Sequence, residues 1–210
     1  MPVAGRPLIE WSLEAFRDCD CVEAVVVAAP PGLECEFGEG VRVVDGGATR
    51  AKSVANALAA VETEVVAIHD AARPLVTPAL VAALVGALAA NPGAAAVIPA
   101  APVADTIKRA APAERTRTAF APEEGANAVL VERTEDRATL WAAQTPQVFR
   151  LDALRAALAV DTATRDAATD EAMLVEAAGG RVLIHPSGPE NLKVTTPHDL
   201  RVAELLLASR

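Results

Sequence analysis

The feature that most constrains the fold is an alternation of short β-branched runs with helical segments along nearly the whole chain. The run from Val22 to Ala29 follows a segment, Leu8 to Phe16, whose apolar residues recur at helical spacing. Strand runs that are apolar without alternation are typical of parallel strands covered on both faces. The 210 residues suffice for one α/β domain with a substantial core. The sequence therefore predicts an α/β fold with a doubly wound, mostly parallel sheet.

The same alternation continues through the rest of the chain. Thr77 can cap a helix with Pro78 in its first turn, and Thr169 and Thr196 stand where two later helices would begin. Further strands are predicted at residues 41–44, 64–69, 94–100 and 181–185, and further helices at 54–61, 78–90, 151–160, from 169 to Gly179, and from 196 onwards.

Residues 103–138 interrupt this rhythm. They are charged, carry Pro112, Pro122 and Gly125, and contain two candidate strands at 105–108 and 128–133. We expect a β-arm or extended hairpin that projects from the sheet. The alternative is a surface loop, above all for residues 115–127.

Charge and composition exclude several classes of function. The formal net charge is −9 without a basic stripe, so extended nucleic acids are poor partners. Neither the three cysteines nor the three histidines have the spacing of a metal site. The apolar stretches are too short to span a bilayer, and no charged-then-apolar leader opens the chain. We therefore expect a cytoplasmic protein that binds neither membrane nor nucleic acid.

Polar residues collect where predicted strands end, which is where open parallel sheets bind ligands. The strand at 64–69 leads into Asp70 and Arg73. Asp70 can hold Mg²⁺ together with substrate phosphates, and Arg73 can reach a phosphate. The alternative is that Asp70 and Arg73 pair with each other across a turn.

Three further segments have weaker signals. Gly46 and Gly47 follow the strand at 41–44, where backbone amides can face a ligand near a helix N-terminus, although an ordinary turn explains them equally well. Gln144 to Gln147 is predicted to be a polar turn. Lys193 stands among apolar neighbours, and a lysine in that setting is more often solvated than catalytic.

Together these segments resemble the 2-C-methyl-D-erythritol 4-phosphate cytidylyltransferases. Each motif is weak alone, but all seven occur in the family's order across nearly the whole chain. The matching segments are Gly5-Arg6-Pro7-Leu8-Ile9, Val44-Asp45-Gly46-Gly47 with Arg50 and Ser53, His69 to Pro74, Pro102 to Lys108, Trp141 to Phe149, Thr169-Asp170-Glu171 and Asn191 to Thr195.

The resemblance implies a nucleotidyltransferase that joins CMP from CTP to methylerythritol phosphate in isoprenoid precursor synthesis, with Mg²⁺ as cofactor. It also implies a homodimer clasped by the arm at 103–138. The implied roles are cytosine recognition by Gly47 and Ser53, ribose and Mg²⁺ binding by Asp70 and Ala71 beside Arg73, and sugar-phosphate binding by Thr106, Arg137, Thr145 and Lys193. Arg137 and Lys193 are the implied catalytic cations, and Arg137 would serve the neighbouring subunit's site.

The chain departs from the family pattern in two places. The family's glycine-rich nucleotide loop, with its arginine and Pro-Lys pair, would precede Gly5, so we expect the first βα unit to be missing and the activity of this chain to be very low. Ala48 replaces a usual acidic residue, and the charged stretch 111–127 is longer. Two alternatives stay open: cytidylyl transfer to ribitol 5-phosphate, and a non-catalytic remnant that only binds nucleotide or forms a dimer scaffold.

Overall fold

The computed structural model describes residues 2–33, 37–112 and 129–209. These residues form two compact units, Met1–Ala100 with Ala143–Arg210, and Ala101–Ala142. The first unit combines helices with a mostly parallel central sheet, so the predicted α/β fold class is confirmed.

Four strands form the continuous path of the central sheet: β5 Val65–Ile68, β6 Ala96–Pro102, β10 Gln147–Arg150 and β11 Val182–Pro186. Their order across the sheet is β11-β6-β10-β5. β6 and β11 are parallel, whereas β10 is antiparallel to both β5 and β6. Thus β5, β6 and β11 share one direction, and β10 opposes them from an interior position.

Residues 144–146 lie outside the strands, as the predicted polar turn at 144–147 requires, but residue 147 belongs to the antiparallel strand β10 and not to that turn. Gln147 begins the strand and pairs with Ile68, and its side chain is 1% exposed. A strand of four residues that starts with glutamine has too little alternation to be distinguished from a turn.

Four further strands lie between residues 2 and 45 in the described part of the first unit. Their bounds are β1 Pro2–Val3, β2 Arg6–Pro7, β3 Val25–Ala29 and β4 Val41–Asp45. β3 and β4 pair in parallel, at the two places where the sequence predicts strands. β1 and β2 form a small antiparallel ribbon that periodicity does not reveal.

Helices cover the sheets, and side-chain caps define where several of them begin. Thr77 and Thr196 cap as predicted. The cap predicted at Thr169 is instead Asp170, whose carboxylate accepts the Met173 N–H. The bounds are α1 Leu8–Arg17, α2 Arg50–Leu58, α3 Pro78–Ala90, α4 Leu151–Leu158, α5 Thr162–Ala167, α6 Glu171–Ala177 and α7 Pro197–Leu207.

Apolar side chains from the sheet and its helices form the main core of the first unit. Phe149 of β10 and Leu154 of α4 are fully buried, and they pack with Val175 of α6 and Ala96 of β6. This packing fixes the start of α6 against the central sheet. None of the described helices has the length and apolar character needed to cross a membrane.

The second unit contains the predicted antiparallel pair, displaced along the chain. β7 is Lys108–Ala110 and β8 is Val131–Thr134, so the strands predicted at 105–108 and 128–133 are placed too early. The carboxylate of Glu135 contacts Arg109 and Arg133 beside the hairpin. Residues 113–128, which include the predicted loop at 115–127 and the start of the second predicted strand, lie outside the described residues. A 3-10 turn at Arg137–Thr139 and β9, Trp141–Ala143, follow.

Candidate active site

Asp70 follows the end of β5 and is the centre of the candidate site. Its Oδ2 lies 2.9 Å from Nζ of Lys193, and its Oδ1 lies 3.4 Å from Nε of Arg50. Its side chain is 16% exposed, whereas that of Lys193 is 44% exposed. The Val194 N–H donates to the Ala72 carbonyl, which fixes the lysine's segment against the Asp70 loop. The structure therefore brings together two residues that lie far apart in sequence, both implicated by the family resemblance.

Arg50, the first residue of α2, links Asp70 to a second carboxylate. Nη1 of Arg50 lies 2.7 Å from both carboxylate oxygens of Glu171, the first residue of α6. Glu171 is only 2% exposed. Four charges thus alternate in a row: Glu171, Arg50, Asp70 and Lys193.

These contacts shift the pKa values of Asp70 and Arg50. Burial disfavours the charged form of Asp70, but the hydrogen bond from Lys193 and the charge of Arg50 outweigh it, so the pKa of Asp70 is lowered. Burial also works against the Arg50 guanidinium, yet its contacts with Glu171 raise the pKa of Arg50. At neutral pH the Asp70 carboxylate is ionised and able to bind a cation.

Beneath Asp70 lies a buried network in which the partners determine the tautomer of His69. Nε2 of His69 lies 3.2 Å from Oγ of Ser12 and 3.3 Å from the Arg73 carbonyl. The carbonyl can only accept, so Nε2 carries the proton. Nδ1 must then accept, and it lies 3.1 Å from Oγ1 of Thr145. Thr145 Oγ1 in turn accepts the Asp70 N–H at 3.0 Å. Burial lowers the pKa of His69 to about 4, which keeps the ring neutral.

Arg73 does not pair with Asp70 across the turn, because among the described residues the Asp70 carboxylate contacts Lys193 and Arg50. Instead, Nη1 of Arg73 donates to the Asn191 carbonyl at 2.7 Å. Burial lowers the pKa of Arg73. Nε of Arg73 and Oδ1 of Asn191 are buried, and neither has a hydrogen-bond partner within the described part of the chain. Arg73 thus ties the Asp70 turn to the Lys193 segment.

The glycine turn after β4 brings Gly47 and Ser53 together. The Gly47 N–H donates to Oγ of Ser53 at 3.0 Å, and that hydroxyl donates to the Thr49 carbonyl at 3.0 Å. A Cβ at Gly47 would lie 2.2 Å from Cγ of Lys52 and 3.0 Å from the Lys52 backbone carbon. A residue larger than glycine would therefore force this turn to move.

Thr106 and Arg137 lie in the second unit, and both are exposed. The Arg137 guanidinium donates to the Ala104 carbonyl, which places it close to the backbone before Thr106. The two residues that the resemblance assigns to the arm therefore lie near each other.

Sequence reasoning assigned no role to Glu171 or Gln147. Nε2 of Gln147 donates to Oδ2 of Asp170 at 2.8 Å, which anchors the start of α6. Both side chains are polar and almost fully buried, which no local pattern reveals. The Thr169-Asp170-Glu171 motif was the available signal for this segment. It did not reveal the burial of Glu171, because an acidic residue at the start of a helix is ordinarily exposed.

The residues present fit a magnesium ion that takes most of its ligands from substrate. The described residues contain no group of three or more histidine, cysteine, aspartate or glutamate side chains that could hold a metal. Mg²⁺ ordinarily takes one or two protein carboxylates plus phosphate oxygens, and Asp70 can supply one.

Comparison with known proteins agrees with this geometry. The family described as "IspD: 2-C-methyl-D-erythritol 4-phosphate cytidylyltransferase" matches residues 1–209. A 2-C-methyl-D-erythritol 4-phosphate cytidylyltransferase from Saccharopolyspora erythraea is 42% identical over 220 residues, covering 99% of this chain and 89% of that protein. A bifunctional enzyme IspD/IspF from Anaeromyxobacter dehalogenans is 43% identical, and the chain spans 51% of its length.

Solved structures give the same result. The crystal structure of 2-C-methyl-D-erythritol 4-phosphate cytidylyltransferase from Thermus thermophilus aligns with a TM-score of 0.80 and 37% identity, covering 99% of this chain and 92% of that one. The sequence match along nearly the whole chain and the shared fold agree, and the chain belongs to the 2-C-methyl-D-erythritol 4-phosphate cytidylyltransferase (IspD) family.

Proposed function

We propose that the chain transfers CMP from CTP to 2-C-methyl-D-erythritol 4-phosphate and releases pyrophosphate. Family membership supports the reaction. The observation that carries the proposal is the row of charges in which Lys193, itself 44% exposed, lies 2.9 Å from the Asp70 carboxylate. An exposed lysine held at the end of a sheet strand is well placed to meet an anionic substrate.

In the proposed reaction an oxygen of the sugar phosphate attacks the α-phosphorus of CTP. The new P–O bond forms as the bond to the β-phosphate oxygen breaks, and the electron pair leaves with pyrophosphate. Both substrates are anions, so positioning and charge neutralisation supply most of the rate. Lys193 turns from Asp70 towards the phosphates and stabilises the charge that accumulates in the transition state.

Asp70 would hold Mg²⁺, with Ala71 and Arg73 beside the ribose and phosphates. A magnesium ion bound there would neutralise phosphate oxygens of the nucleotide. Asp70 suits this task because it is ionised, partly exposed and fixed through its backbone N–H by Thr145. We propose that Thr145 serves the site chiefly through this bond, because its hydroxyl proton is directed to His69.

We assign cytosine recognition to Gly47 and Ser53. The Gly47 amide and the Ser53 hydroxyl already lie 3.0 Å apart at the N-terminus of α2, where electron-rich groups are favoured. A pyrimidine carbonyl can accept the Gly47 N–H in place of the serine oxygen.

We also propose that the protein is a homodimer in which the second unit is the arm, so that Thr106 and Arg137 complete the partner's site. Two observations support this: both residues are exposed, and Arg137 contacts the backbone beside Thr106. Because CTP is an anion that does not cross membranes unaided, we place the enzyme in the cytoplasm.

The test is pyrophosphate release from CTP, Mg²⁺ and methylerythritol phosphate, with ribitol 5-phosphate as the competing substrate. Turnover with methylerythritol phosphate, little inhibited by equimolar ribitol phosphate, would support the proposal. Preferential turnover of ribitol phosphate would replace the proposed substrate. The expectation that the activity of this chain is very low stays a prediction, and the same assay measures it. The absence of pyrophosphate release with both substrates would refute the proposed enzyme.

A further inference from the structure

We propose that Glu171 is a positioning residue for the transfer reaction, which holds Arg50 and, through Arg50, fixes the position of the Asp70 carboxylate. The inference rests on the proposed function, because it concerns the same site. Glu171 itself is buried behind Arg50 and has no need to touch a substrate.

Glu171 is buried in contact with a charged partner. The residue is 2% exposed, and both of its carboxylate oxygens lie 2.7 Å from Nη1 of Arg50. A buried ion pair is costly to desolvate, and replacing both partners by well-packed apolar residues of similar volume is often neutral or stabilising. Its presence at this position therefore calls for a reason other than packing, and its contact with Arg50 provides one.

Hydrogen bonds to the neighbouring Asp170 hold Glu171 in place. Asp170, directly before it, accepts the Met173 N–H with one oxygen and the Gln147 side-chain amide with the other. Gln147 belongs to β10 and pairs with Ile68, two residues before Asp70. The Glu171 carboxylate, which holds Arg50, is thus anchored through Asp170 and Gln147 to β5, the strand that Asp70 follows.

The guanidinium of Arg50 bridges Glu171 and Asp70. Its guanidinium directs Nη1 to Glu171 and Nε to Asp70, at 2.7 Å and 3.4 Å. A planar fork can bridge two carboxylates in fixed directions, whereas the compact ammonium of a lysine cannot. With Glu171 neutralised, the full charge of Arg50 would act on Asp70 and draw it away from Lys193.

The experiment compares Glu171→Gln with Glu176→Gln, an identical chemical change at an exposed position of the same helix. With pyrophosphate release as the assay, we expect kcat of Glu171→Gln to fall about tenfold, as small misplacements of reacting groups do, with KM for both substrates within about twofold of wild type. Glu176→Gln should retain wild-type kcat. Circular dichroism and thermal unfolding establish that each variant is folded at the assay temperature.

The outcomes separate the two proposals. An inactive wild-type enzyme would refute the proposed function, whereas an active wild type with an unchanged kcat in folded Glu171→Gln would refute only the positioning role. A loss of thermal stability without a loss of kcat would likewise make Glu171 purely structural.

Arg50→Lys keeps the inference testable if Glu171→Gln does not fold. It retains the positive charge but removes the fork, so we expect a similar fall in kcat. Because Glu171 acts through Arg50, the double variant should be no slower than the slower single variant. Losses that multiply in the double variant would show independent actions and overturn the inference.

Discussion

Acidification should destabilise the fold through His69 in a way that one substitution can isolate. The ring is buried, and its pKa falls from an ordinary 6.5 to about 4. In the unfolded chain the same ring regains its ordinary pKa and binds a proton that the folded protein excludes. Between pH 6.5 and 4 the unfolded state therefore gains protons first, and the free energy of unfolding decreases as the pH falls.

The magnitude follows from the shift. Each unit of pKa difference corresponds to about 1.4 kcal/mol, so the full effect is about 3 kcal/mol, and roughly 2.5 kcal/mol of it develops between about pH 7 and pH 4.5. The structural cause is the burial of the ring, which disfavours its charged form and outweighs the contact with the Arg73 carbonyl, which favours it. The ring also packs edge-on to Phe16, with 5.3 Å between ring centroids.

The assay is urea unfolding of wild type and His69→Gln at pH 7 and pH 4.5. Other groups with lowered pKa values, such as Asp70, also weaken the fold in acid, so the informative quantity is the difference between the two proteins. We expect the stability advantage of wild type over His69→Gln to shrink by roughly 2.5 kcal/mol from pH 7 to pH 4.5.

A matched control is His198→Gln, because His198 is exposed at the start of α7. The difference in unfolding free energy between wild type and His198→Gln should change little between about pH 7 and pH 4.5. If the advantage of wild type over His69→Gln were equal at both pH values, the buried neutral state of His69 would be refuted.

Further predictions concern the reaction and the fold. Lys193→Ala and Arg137→Ala should each lower kcat about a hundredfold, as loss of a transition-state cation does, and near-wild-type turnover would remove the assignment. Gly47→Ala should raise KM for CTP, since its Cβ would meet Lys52 and force the turn to move; an unchanged KM would refute the cytosine role. Thr196→Ala should cost about 1 kcal/mol in urea unfolding, because it removes the hydroxyl that accepts the Asp199 N–H at the start of α7, and a cost near zero would contradict this.

Local patterns predicted the fold well because most strands here are short apolar runs and most helices have apolar residues at helical spacing. They failed at β10, where Gln147 opens a four-residue strand that only its two neighbours define. The hairpin of the second unit was predicted with its strands displaced, because charged strands with both faces exposed have no alternation to set their register.

In the candidate site, too, sequence patterns reveal some residues and not others. Asp70 was found because it follows a buried strand, and the family resemblance added Lys193. Glu171 was missed because its burial and its contact with Arg50 are tertiary facts, more than a hundred residues apart in sequence. A charged residue in a short helix is ordinarily exposed, so sequence reasoning has no ground to place one in the interior.

The interior position of β10 also has a kinetic consequence. β10 joins β5 to β6, and its pairing with β5 closes a loop on the order of 80 residues, while its pairing with β6 closes one on the order of 50 residues. Until β10 arrives, β5 and β6 leave open edges that can pair with other chains. During synthesis the edges of β5 and β6 should stay exposed for as long as residues 147–150 remain in the ribosome. They should stay exposed somewhat longer after that, because such non-local closures are slow. Aggregation therefore competes with folding until β10 has paired with β5 and β6.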